Sequence, residues 1–352
     1  MKRVLVAQTA FLGDVVLAQP LWAAVKRRWP DAEVDVLMQP QWAPLFAADP
    51  AIHETLTFDK RGRDRGFTGL LRLAAQLRAR HYDAALCPHP SFRSGLLLRL
   101  AGIPQRLGFD DSAGRFFHTT IVRRDRAVHE VDRALSLLAA FEPAAEKPAR
   151  EPRLVLDPAL TAAADSLLAK WDIPIDRPFA CAHPGSVWAT KRWLPEGFAE
   201  ALSGLADAGQ TPVVIGGPAD IELANLVQDR CRTLPVNLAG RLSLPELALL
   251  LSRAAVLITN DSGPMHVAGA LGTPVVAIFG STVPALGYGP VGSPSRVVEV
   301  ALQCRPCGPH GFKKCPLGHF NCMKKINPAE VVAAAAAVAK RQGDFLTGQQ
   351  GT

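Results

Sequence analysis

The sequence predicts an α/β protein made of two parallel-sheet halves. Three observations carry that prediction. Short apolar runs of strand length alternate with longer segments whose apolar residues recur at helical spacing, the pattern of parallel strands joined by crossover helices. The apolar runs end in turns of small polar residues, and the carboxyl ends of strands are where open α/β sheets bind ligands. A proline- and charge-rich segment, EPAAEKPAREP from Glu142 to Pro152, separates two such series and reads as an exposed connection. The expected division of the 352 residues is therefore 1–152 and 153–352, two domains of ordinary size.

In the first half, Val4 to Ala7 is a strand that ends in the turn TAFLGD. The spacing then predicts one helix over 15–29, with Val15, Val16, Leu21, Trp22, Val25 and Trp29 on a broad apolar face. Val34 to Met38 is the next strand, 68–80 a helix, and Ala84 to Cys87 a further strand. In the second half the strands are Phe179 to His183, Thr211 to Ile215, Ala254 to Thr259 and Val275 to Phe279, and an alanine- and valine-rich helix over 328–340 closes the series.

The chain is 48% hydrophobic and carries a formal charge of +7, mostly scattered arginine. Such a charge suits an anionic substrate or an anionic membrane surface. No basic run is interleaved with aromatics in the way that tracks a nucleic-acid strand, so no nucleic-acid partner is expected. No stretch of about 18 apolar residues occurs, so no transmembrane helix is expected. The start, MKRVLVAQTAFLG, imitates a signal peptide, but Asp14 breaks the pattern and the run reads as a buried strand. Seven cysteines, an odd number in a large chain, indicate free thiols in a reducing compartment.

Four turns carry the candidate chemistry. In NDSGPMH, Asn260 to His266, a strand passes into a helix whose start has free N–H groups and a partial positive charge. Gly263 lets an anion approach the backbone, Ser262 offers a hydroxyl, Asp261 precedes them, and His266 lies in the first helical turn, where its ring can reach the same anion. The plainer reading is a helix capped by Asp261 or Ser262 with Pro264 in its first turn. HPGSVWATKRWLP, His183 to Pro195, is a second such turn, with Ser186, Lys191 and Arg192 near it; the plainer reading is a solvated loop with two packed tryptophans. GGPADIE, Gly216 to Glu222, offers carboxylates to ribose hydroxyls, or is merely surface. TAFLGDVV has one glycine where a dinucleotide fingerprint needs three. Its Asp14 reads as a helix cap, or as a general base if it faces a substrate. No two aspartates lie two apart, so there is no D-x-D motif for a divalent metal. Finally, Cys304, Cys307, Cys315 and Cys322, with His310 and His319 among them, make a zinc-like pattern whose later spacings match no common finger; the alternative is four buried or loop thiols.

TNDSGPMHVAGALGTPVVAIFG, HPGS with ATKRWLPEGF, the early GD before a helix, NLAG at Asn237 to Gly240, SFRSGLLLRLAGIPQRLGF and KKCPLGHFNCMKKI together resemble the heptosyltransferases of glycosyltransferase family 9 over nearly the whole chain. The resemblance implies a GT-B fold, two Rossmann-like parallel-sheet domains facing across a cleft, with the last helix packing back on the first domain. It implies an inverting transfer of heptose from ADP-heptose to the inner core of lipopolysaccharide, the second heptose in particular. By resemblance Asp14 is the catalytic aspartate, and Lys191, Asp261, Ser262, Gly263 and His266 hold the donor with Ser186, while Glu222 holds the adenosine ribose. The first domain then binds the acceptor. Arg61 and Arg63 in the loop RGRDRG, and Arg93 in SFRSG, suit its carboxylates and phosphates as bidentate donors; the plainer reading is a solvated basic loop. No metal or other cofactor is expected, and the site is cytoplasmic, peripheral to the inner membrane. The alternatives are a family 9 transferase with another acceptor, a non-catalytic sugar-nucleotide-binding protein on the same fold, and a zinc-dependent nucleic-acid binder built on the cysteine cluster.

Overall fold

The computed structural model describes residues 1–141 and 148–346, with helix backbone alone from 340 onward. The expected connection at Glu142–Pro152 lies outside the described residues as far as Lys147. The chain divides into two compact units, Met1–Val155 and Leu156–Thr352.

Unit 1 holds six strands: β1 (Arg3–Ala7), β2 (Glu33–Met38), β3 (Glu54–Thr57), β4 (Ala84–Cys87), β5 (Gln105–Phe109) and β6 (Thr120–Val122). They form one sheet in the order β3-β2-β1-β4-β5-β6, and every pairing is parallel. Unit 2 repeats the plan with β7 (Phe179–His183), β8 (Thr211–Val214), β9 (Val236–Asn237), β10 (Val256–Asn260), β11 (Val275–Phe279) and β12 (Ser295–Glu299), ordered β12-β11-β10-β7-β8-β9. Its pairings are parallel as well. The strand order reverses between β1 and β4 in one unit and between β10 and β7 in the other. Loops leaving neighbouring strands at such a point part to opposite faces and leave a crevice beyond the carboxyl ends.

The central strands are apolar on both faces because helices cover both sides of the sheet. Val4, Leu5, Val6 and Ala7 are all fully buried, as are Val275 to Phe279. The strands that the periodicity does not reveal are β3, β5, β6, β9 and β12. They lie toward the sheet edges, where sequences such as ETLT and SRVVE keep partly exposed polar residues.

The single helix expected over 15–29 is two, Leu12–Leu17 and Gln19–Arg28. Pro20 has no N–H to donate and its ring crowds the preceding turn. The chain breaks at Ala18, and Pro20 takes a first-turn position of the second helix, where it is tolerated. The closing helix runs from Pro328 to Leu346, longer than expected. Its Val331, Ala335 and Val338, spaced four and three apart, bury in the unit 2 core with Phe198 and Leu202.

Candidate functional site

In unit 2, β7 and β10 are neighbours at the reversal point, with His183 opposite Thr259 in register. The turns that leave them are bound together by Asn260. Its side-chain amide donates to the carbonyls of Pro184 (2.8 Å) and Gly185 (3.3 Å), and its Oδ1 accepts the Trp193 amide (2.9 Å). A fully buried Asn with these partners fixes one loop against the other.

The helix Gly263–Ala270 starts at Ser262, whose backbone is extended. Ser262 occupies the capping position without capping: its side chain bonds no amide of the first turn. Its hydroxyl instead meets His183 Nδ1 and Thr259 Oγ1, each at 3.1 Å. The plainer reading, a helix capped by its own serine, is therefore not what the chain does. Asp261 does not cap either. It is buried, and its Oδ2 accepts the Lys191 ammonium at 2.6 Å and the Thr282 hydroxyl at 2.7 Å. Asp261 thus aims Lys191, and a carboxylate so committed is not a ligand for a phosphate. His266 is 4% exposed, in the first turn of the helix.

His183 continues the network. Its Nε2 lies 3.6 Å from Asp220 Oδ2, which also accepts the Gly217 amide at 2.9 Å. Burial works against the charged form of Asp220, but His183, the Gly217 amide and Arg192 outweigh it and hold the carboxyl below the usual aspartate range. A Cβ at Gly185 would meet the Asp220 carboxylate, so a larger residue there would push Asp220 from its place beside His183 and the Gly217 amide. Ser186 is half-buried, its carbonyl accepting Arg192 Nε at 2.8 Å, while Val187 beside it is exposed. Glu222 lies in the first turn of the helix Ile221–Gln228, exposed, beyond the end of β8.

The cysteine-bearing loop is fastened to these turns. Arg305 donates to the carbonyls of Phe279, Gly280 and Thr282, and Phe312 N–H to Thr190 Oγ1 at 2.7 Å. All seven cysteines are free. Cys304 Sγ lies 4.0 Å from His319 Nε2, and Cys307 faces the Cys304 carbonyl at 3.3 Å. Among the described residues the one trio of ligand atoms within a single ion's reach is Asp35, His53 and Glu54. That trio is already met by the chain's own groups: Tyr82 donates to buried Asp35 at 2.5 Å, and Arg80 pairs with both acids.

In unit 1, Asp14 is the third residue of the helix Leu12–Leu17. Its Oδ2 accepts the Phe11 amide at 3.2 Å, so it does serve the helix start, and it is half-buried beyond the end of β1. Nearby, Thr9 Oγ1 meets His89 Nδ1 and Ser94 Oγ, each at 3.0 Å. Burial, with Lys60 and Arg124 adding to it, pushes His89 down to about 3, so its ring is neutral at ordinary pH. Lys60 donates to the Thr9 carbonyl at 3.1 Å, and burial lowers its pKa to about 8.

The loop RGRDRG is a folded turn. Asp59 accepts the amides of Gly62 (2.8 Å) and Arg63 (3.0 Å), and buried Asp64 accepts the Asp59 amide (2.9 Å) and pairs with Arg72. Arg61 and Arg65 are exposed, and Arg63 is 57% exposed, touching Thr57 and Asp64. Arg93 differs from them. It gives its guanidinium to the carbonyls of Lys60 (3.3 Å) and Asp64 (2.9 Å) and lies over the Phe58 ring. It clamps the loop that presents Arg61 and Arg63.

Sequence reasoning missed His183, Asn260 and Thr282 in unit 2, and Thr9 and His89 in unit 1, and it offered Asp220 to a ribose where the structure pairs it with His183 and the Gly217 amide. Each sits at or just beyond the carboxyl end of a strand, and that position was the available signal.

Residues 70–316 match the family model described as glycosyltransferase family 9 (heptosyltransferase). The chain is 27% identical to lipopolysaccharide heptosyltransferase 2 of Salmonella typhimurium, covering 97% of this chain and 99% of that protein. It is 28% identical to the Escherichia coli protein of the same name, covering 94% and 96%. Among solved structures, a family 9 glycosyltransferase of Veillonella parvula superposes with a TM-score of 0.86 at 25% identity, covering 97% and 98% of the two chains. The E. coli ADP-heptose LPS heptosyltransferase II superposes with a TM-score of 0.79 at 25% identity, covering 97% and 100%. The two six-stranded parallel sheets are those of the GT-B fold.

Proposed function

Because the chain belongs to glycosyltransferase family 9, we propose that it moves L-glycero-D-manno-heptose from ADP-heptose to the inner core of lipopolysaccharide, as the second heptose added. The observation that carries this reading is the helix start at Ser262. Its serine is turned away to His183, and Lys191 is held beside it by Asp261. A helix start left without a side-chain cap, with an ammonium fixed next to it, is built for an anion. The pyrophosphate of the donor suits it, with Gly263 giving close approach and Ser186 and His266 flanking; Glu222 takes the adenosine ribose.

In the transfer, the acceptor hydroxyl oxygen bonds to the anomeric carbon of the heptose. The bond from that carbon to the phosphate oxygen breaks, and ADP departs with the electron pair. Asp14 takes the hydroxyl proton. Lys191 and the helix start meet the charge growing on the leaving phosphate, and fixed donors of this kind contribute about 3 kcal/mol each. The chain supplies these charges from its own groups, so the chemistry proceeds without a metal or other cofactor. Arg61 and Arg63 bind acidic groups of the acceptor, on a loop that Arg93 holds in shape. The relatives named for lipopolysaccharide or ADP-heptose support this assignment of acceptor and donor. The enzyme works in the cytoplasm, peripheral to the inner membrane in which the acceptor is anchored.

The test is incubation with ADP-heptose and a panel of truncated inner-core acceptors, read by mass spectrometry. The reading predicts one added heptose on the acceptor that already carries the first. Heptose added only to an acceptor lacking the first would move the protein to another step, and ADP binding without product would make it a sugar-nucleotide binder.

A further inference from the structure

Unit 1 strands four phenylalanine rings in solvent: Phe11 is 60% exposed, Phe67 61%, Phe92 51% and Phe116 77%. Singly exposed apolar side chains are ordinary. These four are not scattered. Phe11 follows β1, Phe67 follows β3 and Phe92 follows β4, each at a helix start in a parallel sheet, so these three stand at its carboxyl edge, and Phe116 lies on the β5–β6 crossover next to Phe117, whose ring meets Phe92. The four are every exposed phenylalanine among the described residues of this unit.

The loops that bear them are joined into one rim. Lys60 bonds the Thr9 carbonyl, tying the β3 loop to the β1 loop. Arg93 bonds the carbonyls of Lys60 and Asp64, tying the β4 loop to the β3 loop. The Ala113 amide donates to the Pro90 carbonyl at 3.3 Å, and the Phe92 and Phe117 rings meet edge to face at 5.1 Å, tying the β5 loop to the β4 loop. Leu71, 42% exposed, lies one helical turn after Phe67 and extends the apolar rim.

Arginines interleave with the rings. Arg61, Arg63 and Arg65 precede Phe67 on the folded loop, and the Arg115 guanidinium lies over the Phe116 ring at 4.4 Å. The acids nearby are spoken for: Asp59 by two loop amides, Asp64 by Arg72, Asp111 by Arg124 and Arg126, and Asp110 by the Arg124 amide. What the rim offers outward is aromatic and cationic.

We propose that this rim docks on an anionic lipid bilayer, with Phe67 and Phe116 entering the boundary between headgroups and acyl chains and Arg65 and Arg115 meeting lipid phosphates. The charge complementarity selects that occupant. A basic residue near such a surface and an apolar ring inserted at its boundary act together, and neither suffices alone. No helix among the described residues is long and apolar enough to cross a membrane, so any attachment through them is by surface contact. The inference rests on the proposed reading for its biological sense, because a lipid-anchored acceptor brings its sugar to the same edge that carries Asp14.

The test is co-sedimentation of the full chain with vesicles of phosphatidylethanolamine and phosphatidylglycerol, with pure phosphatidylcholine vesicles as the neutral arm. The wild type binds the anionic vesicles, loses binding as salt rises, and ignores the neutral ones. Phe67→Ser combined with Phe116→Ser weakens anionic-vesicle binding by about tenfold or more. Leu234→Ser in unit 2, an equally exposed apolar site at 75%, leaves it unchanged. Transfer to a delipidated, water-soluble acceptor is the same in the double variant as in the wild type, which also shows that it folds. Wild-type protein that stays in the supernatant with anionic vesicles, or a double variant that binds them as well as wild type, overturns the docking face. Neither result touches the proposed transfer, which fails separately if the soluble acceptor gains no heptose.

Discussion

Replacing Lys191 by alanine, alone and together with Asp261→Asn, separates a phosphate-binding lysine from a merely structural one. Their ion pair is 2.6 Å long, with the side chains 15% and 8% exposed. At an effective dielectric of about 20 the gross attraction at that distance is about 6 kcal/mol. Desolvation of both groups offsets most of it, and breaking such a pair by removing one partner costs about 3–5 kcal/mol. Thr282 continues to donate to Asp261 after the substitution, so the loss in Lys191→Ala is expected near the bottom of that range or just below it, at about 2–3 kcal/mol. The effect on ADP has two parts. The phosphates lose a charge-assisted hydrogen bond, about 1.5–3 kcal/mol, and they now face an unneutralised carboxylate. Affinity should fall by about 30-fold or more. Adding Asp261→Asn removes the bare charge while keeping an oxygen for Thr282. The double variant should recover at least half of the lost stability and bind ADP more tightly than Lys191→Ala. Urea denaturation and ADP calorimetry on the four proteins of the cycle measure both. Wild-type ADP affinity in Lys191→Ala, or substitutions whose effects add to within about 0.5 kcal/mol in both measurements, would refute the reasoning.

Asp14→Asn keeps an oxygen for the Phe11 amide, so stability should barely move, while kcat falls by about a hundredfold or more and donor affinity stays within a few-fold; near-normal turnover would place the base elsewhere. Arg61→Ala with Arg63→Ala should raise the acceptor KM and leave ADP binding alone, whereas unchanged acceptor kinetics would leave the loop a solvated surface. Lys60 gives a pH signature: burial holds it at about 8 instead of 10.5, so between those values the unfolded chain carries a proton that the folded chain has released. Stability relative to Lys60→Met should therefore be lowest below about pH 8 and rise with pH across that window. A pH-independent difference in denaturation midpoints would show that the ammonium is better solvated than its burial indicates.

The alternation of apolar runs and helical periods, the reversal-point turns and the break between the halves are all local patterns, and local patterns are what a sequence displays. Periodicity reveals the central strands because burial on both faces leaves them mainly apolar, with buried polar residues such as Asp35, Thr259 and Asn260 few enough not to break the runs. It did not deliver β3 or β12, where edge positions admit Glu, Thr, Ser and Arg. The helix split at Ala18 is legible in Pro20 but is masked by the apolar face that continues across it. The turns of the candidate site were legible for the same local reason, but their wiring was not. Lys191 and Asp261 stand 70 residues apart, and Ser262 and His183 stand 79 apart. Nothing within either turn announces that Asp261 serves a lysine rather than a ligand, or that Ser262 declines to cap its helix. The type and neighbours of Arg93 suit an acceptor ligand. Only the fold shows its guanidinium spent on the carbonyls of the loop it supports.

The measurement closest to the central claim is a crystal structure of the protein with ADP. The account predicts the pyrophosphate against the Gly263 amide at the start of the helix Gly263–Ala270, within hydrogen-bond reach of the Lys191 ammonium, with Asp261 still paired to that lysine. The adenosine should lie toward the helix that carries Glu222. ADP bound away from the carboxyl ends of β7 and β10, or phosphates that leave Lys191 and Gly263 untouched, would contradict it.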